Sequence, residues 1–166
     1  MAAITLGGTP TTTNGNLPEV GSQLPDFDLT DKDMNSVNLD DFKGKKIVLN
    51  IFPSVDTGVC SKSVRDFNEQ ASAHPEIAVL CISRDLPFAQ SRLCGNENLE
   101  SVITLSDFKT GQFGRDYGVE IQSGAFAALN ARAVVVADQQ HKVRYTELVP
   151  EIGQAPNIEA ALKALG

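Results

Sequence analysis

Two short apolar runs on either side of a helical segment most constrain what this chain can fold into. Residues 47–52 read Ile-Val-Leu-Asn-Ile-Phe, which has the length of a buried strand, and Pro53 ends the run. Residues 77–82, Ile-Ala-Val-Leu-Cys-Ile, predict a second buried strand. Between them, residues 61–73 carry apolar side chains at helical spacing. Strands that alternate with helices predict an α/β fold with a mixed central sheet.

The remaining segments extend this pattern. Residues 4–13, broken by glycine and proline, predict a small N-terminal hairpin, and residues 21–30 predict an entry loop and a short strand. A polar turn is expected at residues 41–46. The later elements are a helix at 86–93 with Asp85 as its N-cap, a strand at 102–105, a hairpin of 133–137 with 142–149, and a closing helix at 157–165.

Length and charge narrow the class of protein. The chain has 166 residues, of which 42% are hydrophobic, which predicts one globular domain over residues 1–166. A net charge of −7 disfavours binding to nucleic acid or to anionic lipid. The longest apolar run is six residues, so no membrane span is expected. Residues 1–8 lack the basic start of a secretory signal, and we therefore expect a cytoplasmic protein.

The cysteines and histidines do not form a metal-binding pattern. Cys60, Cys81 and Cys94 lack paired C-x-x-C spacing, and His74 and His141 are far apart in the chain. We therefore expect no metal and no cofactor, and both histidines at the surface. In a reducing cytoplasm, any disulfide would be transient.

Cys60 is the residue whose position most clearly indicates chemistry. It follows a buried strand and opens a helix, where free backbone N–H groups and the helix dipole favour an anion such as a thiolate. Val64, Phe67 and Ala71 share its side of the helix, so Cys60 should face inward. Two other interpretations are a buried hydrophobic cysteine and a thioredoxin-type dithiol. The dithiol needs C-x-x-C, but the sequence has Thr57 where the first cysteine would stand.

The residues around Cys60 match a known family. The pattern P-x-x-x-T-x-x-C, from Pro53 to Cys60, resembles the peroxidatic loop of peroxiredoxins. Three further segments, LCIS at 80–83, DLPFAQSRLCG at 85–95 and ARAVVV at 131–136, resemble the bacterial thiol peroxidases, an atypical two-cysteine branch. The resemblance covers essentially the whole chain and implies a thioredoxin-like fold.

The resemblance also implies a role for each site residue. Cys60 would be the peroxidatic nucleophile that becomes a sulfenic acid, and Cys94 the resolving cysteine that forms an intramolecular Cys60–Cys94 disulfide. Thr57 would hydrogen-bond the peroxide, Pro53 would shield the site, and Arg132 would stabilise the thiolate and the developing charge on oxygen. From sequence alone, Arg132 could instead be a surface ion-pairing residue and Cys94 a spectator thiol.

Further expectations concern the third cysteine and the movement of the helices. Cys81 lies in an apolar run and is expected to be buried and inert. A disulfide needs the two Cα atoms within about 6 Å, so both helices would partly unwind if the reduced fold holds them farther apart. Gly58 and Gly95 are the glycines expected to ease this change.

The predicted activity is reduction of hydrogen peroxide and alkyl hydroperoxides, with thioredoxin as the reductant and a homodimer as the assembly. An apolar rim of Val59, Phe88 and Phe126 would suit alkyl hydroperoxides. A peroxide sensor that passes its oxidation to a partner would use the same two cysteines. A thioredoxin-fold scaffold without redox chemistry would not need Cys60.

Overall fold

The computed structural model describes residues 1–165. A seven-stranded mixed sheet forms its centre, in the order β4-β3-β7-β6-β5-β8-β9, and a separate two-stranded hairpin is built from β1 and β2. The strands are β1 Ala3–Leu6, β2 Thr9–Thr12, β3 Asp28–Thr30, β4 Ser36–Asn38, β5 Lys46–Ile51, β6 Ile77–Ser83, β7 Ile103–Ser106, β8 Ala133–Ala137 and β9 Val143–Leu148. The helices are α1 Gly58–Ala73, α2 Pro87–Glu97, α3 Gln112–Asp116 and α4 Ile158–Lys163, with a short 3-10 helix at Leu39–Phe42.

Strand β5 is an interior strand of the sheet, and both of its faces pack against apolar side chains. It pairs in parallel with β6 and antiparallel with β8, and the register places Leu49 beside Leu80 and Val135. Ile47, Leu49 and Ile51 face one core cluster, whereas Val48 faces the other. This alternation follows from the period of two along a strand.

The two faces of the sheet are covered by different parts of the chain. Val64, Phe67 and Ala71 of α1 and Ala161 of α4 pack on the face that contains Val48. The opposite face is covered by the N-terminal hairpin through Ile4 and by aromatic side chains, namely Phe27, Phe42, Phe113 and Tyr117. Both faces are therefore shielded from water, and apolar burial of this extent is the main source of folding free energy.

The predicted fold class is confirmed: the sheet is mixed, helices flank it, and the chain starts with a hairpin. The first long helix starts earlier than predicted, at Gly58, because Thr57 serves as its N-cap. The predicted helix at 86–93 extends to Glu97. Strand β4, the 3-10 helix and α3 were not predicted; each has five residues or fewer, too few to show a hydrophobic period.

Three local predictions were wrong. Asp85 does not cap α2; the N-cap is Leu86, with no side-chain cap bond. His141 is half-buried rather than at the surface, and its Nε2 lies 3.0 Å from the carbonyl oxygen of Phe42. The polar turn at 41–46 starts inside the 3-10 helix, because the buried Phe42 holds that segment to the core.

Two further features of residues 1–165 concern the length of the helices and the grouping of metal-binding side chains. None of the helices described is long and apolar enough to cross a membrane. Within the same residues, no three His, Cys, Asp or Glu side chains cluster so that they could hold a metal ion.

Candidate active site

Cys60 lies in the first turn of α1, on the side of the helix that packs against the sheet. Its side chain is fully buried, in the core cluster that also contains Phe52, Val64 and Phe67. Thr57 caps the helix, because its Oγ1 accepts a hydrogen bond from the backbone N–H of Cys60 at 3.4 Å. The sulfur is thus enclosed by apolar side chains at the positive end of the helix dipole.

Arg132 supplies the only side chain hydrogen bond to that sulfur within residues 1–165. Its Nη2 donates to the Sγ of Cys60 at 3.0 Å, and its Nε donates to the carbonyl oxygen of Ile152 at 2.8 Å. Arg132 comes directly before β8, which pairs with β5, and this pairing brings it beneath α1. The guanidinium is 1% exposed, and its Nη1 has no hydrogen-bond partner among the described residues. The two N–H donors of Nη1 therefore remain available in the protein interior.

Pro53 and Thr57 form the loop that leads into the helix. Pro53 is buried, and Thr57 is half-buried and donates its hydroxyl hydrogen to the carbonyl oxygen of Ser54 at 3.2 Å. The loop is held from outside by Asp85, whose carboxylate accepts from the Ser54 hydroxyl at 2.7 Å and from the Val55 N–H at 2.8 Å. From the sequence, Asp85 was expected only as a helix cap.

Two buried polar side chains, Ser63 of α1 and Asn50 of β5, lie next to Cys60. Ser63 donates to the carbonyl oxygen of Cys60 at 2.8 Å, and the amide of Asn50 donates to Ser63 at 3.3 Å and to the Sγ of Cys81 at 3.6 Å. Neither Asn50 nor Ser63 was predicted. The signal for Asn50 was a single polar residue within the apolar run of residues 47–52.

Cys81 is buried in the centre of β6, as the sequence indicated. Desolvation is the largest effect on this thiol and raises its pKa to about 12, while the hydrogen bond from Asn50 acts in the opposite direction. A thiol with such a pKa stays protonated near neutral pH and is a poor nucleophile.

Cys94 lies in the last turn of α2 and is half-buried. It packs against the same core cluster as Cys60 and lines a surface cavity of about 570 Å³ together with Lys32, Ser91 and Thr104. Partial burial raises the pKa of Cys94, and the charge of Lys32 opposes that shift. Cys60, Cys81 and Cys94 are all free thiols.

The structure therefore brings four of the five predicted site residues together: Pro53, Thr57, Cys60 and Arg132. Cys94 is on a separate helix and is not hydrogen-bonded to them. The predicted apolar rim of Val59, Phe88 and Phe126 does not form one surface: Val59 is half-buried and Phe88 is 65% exposed. Phe126 packs against the core cluster on the sheet face opposite to Cys60.

Comparison with known proteins identifies the family of this site. The Redoxin family model matches residues 19–162. This range includes β5, the loop that follows it, the helix α1 with Cys60, and Arg132. The chain belongs to the Redoxin family.

Named relatives agree with this assignment along the whole chain. The chain is 55% identical to a thiol peroxidase of Mycobacterium tuberculosis, over all 166 residues and 99% of the relative. It is 48% identical to a thiol peroxidase of Corynebacterium glutamicum, over 99% of both chains. The predicted resemblance to bacterial thiol peroxidases is confirmed, and with it the class of thiol-dependent, peroxide-reducing enzymes.

Solved structures show the same architecture. A crystal structure of a peroxiredoxin-like protein from Aquifex aeolicus superimposes with a TM-score of 0.92 at 36% identity, over 99% of this Redoxin chain and 96% of the other. A thiol peroxidase from Chromobacterium violaceum, at 22% identity, shares the fold with a TM-score of 0.89, over 97% and 93% of the two chains.

Proposed function

We propose that this Redoxin-family peroxidase reduces hydrogen peroxide and alkyl hydroperoxides with Cys60 as the nucleophile. The observation that carries the proposal is the 3.0 Å contact between Arg132 Nη2 and Cys60 Sγ, two side chains that are both buried. The guanidinium lies where it can stabilise the negative charge that the reaction moves from the sulfur to the peroxide oxygen.

In the first step, the Cys60 thiolate attacks the terminal oxygen of the hydroperoxide and forms an S–O bond while the O–O bond breaks. The leaving alkoxide or hydroxide takes a proton and departs as alcohol or water, and Cys60 becomes a sulfenic acid. The free Nη1 of Arg132 is the donor proposed to stabilise charge on the peroxide oxygens, joined by the hydroxyl of Thr57 once its hydrogen turns from the carbonyl oxygen of Ser54 to the peroxide. Pro53 limits the access of water to the same pocket.

In the second step, the thiolate of Cys94 attacks the sulfur of Cys60. An S–S bond forms, the S–O bond breaks, and the hydroxyl group leaves as water after protonation. Because the two cysteines lie on different helices and are not bonded, we propose that the first turn of α1 and part of α2 unwind to allow this contact.

In the third step, a dithiol protein of the thioredoxin type reduces the Cys60–Cys94 disulfide by two thiol–disulfide exchanges and becomes oxidised itself. We place the cycle in the cytoplasm, where the reducing poise supports such exchange. The one domain is proposed to act as a homodimer. The exposed Leu86 and Phe88 at the start of α2 support this assembly, because exposed apolar side chains are common at interfaces.

The test is peroxide-dependent NADPH oxidation coupled to thioredoxin and thioredoxin reductase. We expect turnover by the wild type, none by Cys60→Ser, and a trapped sulfenic acid in Cys94→Ser. The oxidised wild type should retain one free thiol, that of Cys81. Rapid oxidation without turnover would favour a peroxide sensor, and the absence of any reaction with peroxide would contradict both functions.

A further inference from the structure

We infer that Asp85 is a positioning residue that joins the loop before Cys60 to the helix that carries Cys94, and that it sets the balance between the first two steps of the proposed cycle. The inference rests on the proposed roles of Cys60 and Cys94. It concerns a hydrogen-bond network, called here the Asp85 network, which consists of Ser54, Val55, Ser83, Asp85 and Gln90.

On one side, the network holds the loop. The two carboxylate oxygens of Asp85 accept from the hydroxyl of Ser54 at 2.7 Å and from the N–H of Val55 at 2.8 Å. The carbonyl oxygen of Ser54 in turn accepts from the hydroxyl of Thr57 at 3.2 Å and from its N–H at 3.3 Å. Thr57 therefore takes its position relative to Cys60 from a loop that Asp85 fixes.

On the other side, the network holds α2. Ser83, at the end of β6, donates to Asp85 at 2.5 Å and accepts from the side-chain amide of Gln90 at 3.0 Å. The same amide donates to the carbonyl oxygen of Leu105 at 2.9 Å, and Gln90 is 1% exposed. The hydroxyl of Ser106 donates to the backbone carbonyl of Asp85 and adds a further tie to the sheet.

Gln90 and Cys94 are four residues apart in α2 and therefore lie on the same face of the helix, one turn apart. Any movement that carries Cys94 towards Cys60 strains the bonds that Gln90 makes to Ser83 and Leu105. Movement of Cys60 out of its pocket strains the bonds of Ser54 and Val55 to Asp85. One carboxylate thus resists both displacements, and the folded arrangement that it supports is the one that reacts with peroxide.

Asp85→Asn should change the two steps in opposite directions. An amide offers one acceptor oxygen where the carboxylate offers two, so it cannot hold Ser54, Val55 and Ser83 together. We expect oxidation of Cys60 to slow by about tenfold, because Thr57 is no longer held in place. We expect formation of the disulfide to accelerate by about threefold to tenfold, because less of the native hydrogen bonding must be broken.

The two rates can be separated by rapid quench with an alkylating agent and intact-mass analysis, which counts sulfenic acid, disulfide and sulfinic acid. Mass analysis is chosen because the chain has no tryptophan whose fluorescence could report the two steps. With faster disulfide formation, Asp85→Asn should need more peroxide than the wild type before half of Cys60 becomes sulfinic acid. A residue with only a structural role would not raise that concentration.

Asp138→Asn is the matched control. Asp138 is a buried carboxylate that accepts from the N–H groups of Gln140 and Lys142 and from Arg144, in the turn at the far end of β8 from Arg132. The Asp138→Asn variant should change neither the rate of Cys60 oxidation nor that of disulfide formation by more than about twofold. Gln90→Met removes only the tie to α2, so it should accelerate disulfide formation and leave the oxidation of Cys60 unchanged. This second variant tests the network even if Asp85→Asn does not fold.

The rates of Cys60 oxidation and disulfide formation in the wild type test the proposed function. The ratios of these rates between each variant and the wild type test the Asp85 network. If the wild type forms no Cys60–Cys94 disulfide, both the proposed function and the inference about Asp85 are contradicted. If it does, equal rates in Asp85→Asn, a change in only one step, or changes in the same direction would overturn the inference. Slower disulfide formation in Gln90→Met would also contradict it.

Discussion

The Nη2 of Arg132 lies 3.0 Å from the Sγ of Cys60, although the two residues are 72 positions apart in the chain. The contact exists because β8 pairs antiparallel with β5, and β5 leads through the loop into the helix that carries Cys60. Both side chains are buried, so water does not screen the charge of the guanidinium at the sulfur.

Replacement of Arg132 by glutamine should abolish most of the reaction with peroxide. The change removes a buried charge and the donor to Cys60, and loss of one such donor typically reduces rates by about 10²–10³-fold. The measurement is the second-order rate constant for oxidation of Cys60 by hydrogen peroxide. Arg144→Gln is the control, because the exposed Arg144 pairs with Asp138 and not with Cys60, so its loss should leave the rate unchanged.

Replacement of Thr57 by valine should affect both stability and rate. Valine cannot accept the hydrogen bond from the Cys60 N–H, and loss of this cap should lower the free energy of unfolding by about 1 kcal/mol. The proposed hydrogen-bond donor to peroxide is lost as well. Thr57→Ser keeps the hydroxyl and should retain most of the cap and of the rate. Urea unfolding and peroxide kinetics of the two variants would check this, and equal kinetics would show that the hydroxyl is not needed.

Cys81 should make the protein less stable at alkaline pH. The folded state raises its pKa from 9.0 to about 12, so between these values the unfolded state binds fewer protons than the folded state. The free energy of unfolding should therefore fall above about pH 9, by at most about 1.4 kcal/mol per pH unit from this group. Urea unfolding at about pH 8 and about pH 10 should show a smaller loss in Cys81→Ala than in the wild type. Equal losses would show that Cys81 is not the group responsible.

Gly114→Ala should destabilise the fold without changing the chemistry. A Cβ at this position of α3 would overlap the side-chain oxygen of the buried Asn130, and such overpacking costs about 1–3 kcal/mol in the free energy of unfolding. Thermal or urea unfolding measures the loss. The rate of Cys60 oxidation in the folded variant should equal that of the wild type.

Gly95→Ala should slow disulfide formation. Nothing lies within 4 Å of a Cβ at Gly95, so alanine fits and should stabilise the helix by about 0.5–1 kcal/mol. A more stable α2 unwinds less readily, and Cys94 should therefore reach Cys60 more slowly. An unchanged rate of disulfide formation, measured by quench, would contradict the proposed role of Gly95. Gly58→Ala tests the same argument at the start of α1, where a Cβ also meets nothing within 4 Å.

The sequence predicted the elements whose period is long enough to be visible. Strands β5 and β6 and helix α1 carry repeated apolar residues, and Cys60 could be placed at the start of α1 from local pattern alone. The partner of Cys60 could not be found in this way, because the position of Arg132 depends on strand pairing. It was the resemblance to a known family that named Arg132.

The part of the site that could not be predicted consists of polar side chains that act on the backbone. Asp85 precedes a helix, where an N-cap is common, yet its carboxylate turns to Ser54 and Val55. The direction of a short polar side chain depends on which donors the tertiary structure brings near it. Neither spacing nor composition contains that information.

The N-terminal hairpin is linked to the buried guanidinium of Arg132 through a single residue, Ile152. The N–H of Ile152 donates to the carbonyl oxygen of Thr5 in β1 at 2.8 Å, and the carbonyl oxygen of Ile152 accepts from Arg132 Nε, also at 2.8 Å. Glu151 reinforces the link by accepting from the hydroxyl of Thr5 and the N–H of Gly8. An affinity tag or a deletion that displaces β1 would therefore loosen the arginine from the far side of the molecule. Recombinant preparations that differ only at the amino end would then differ in measured activity.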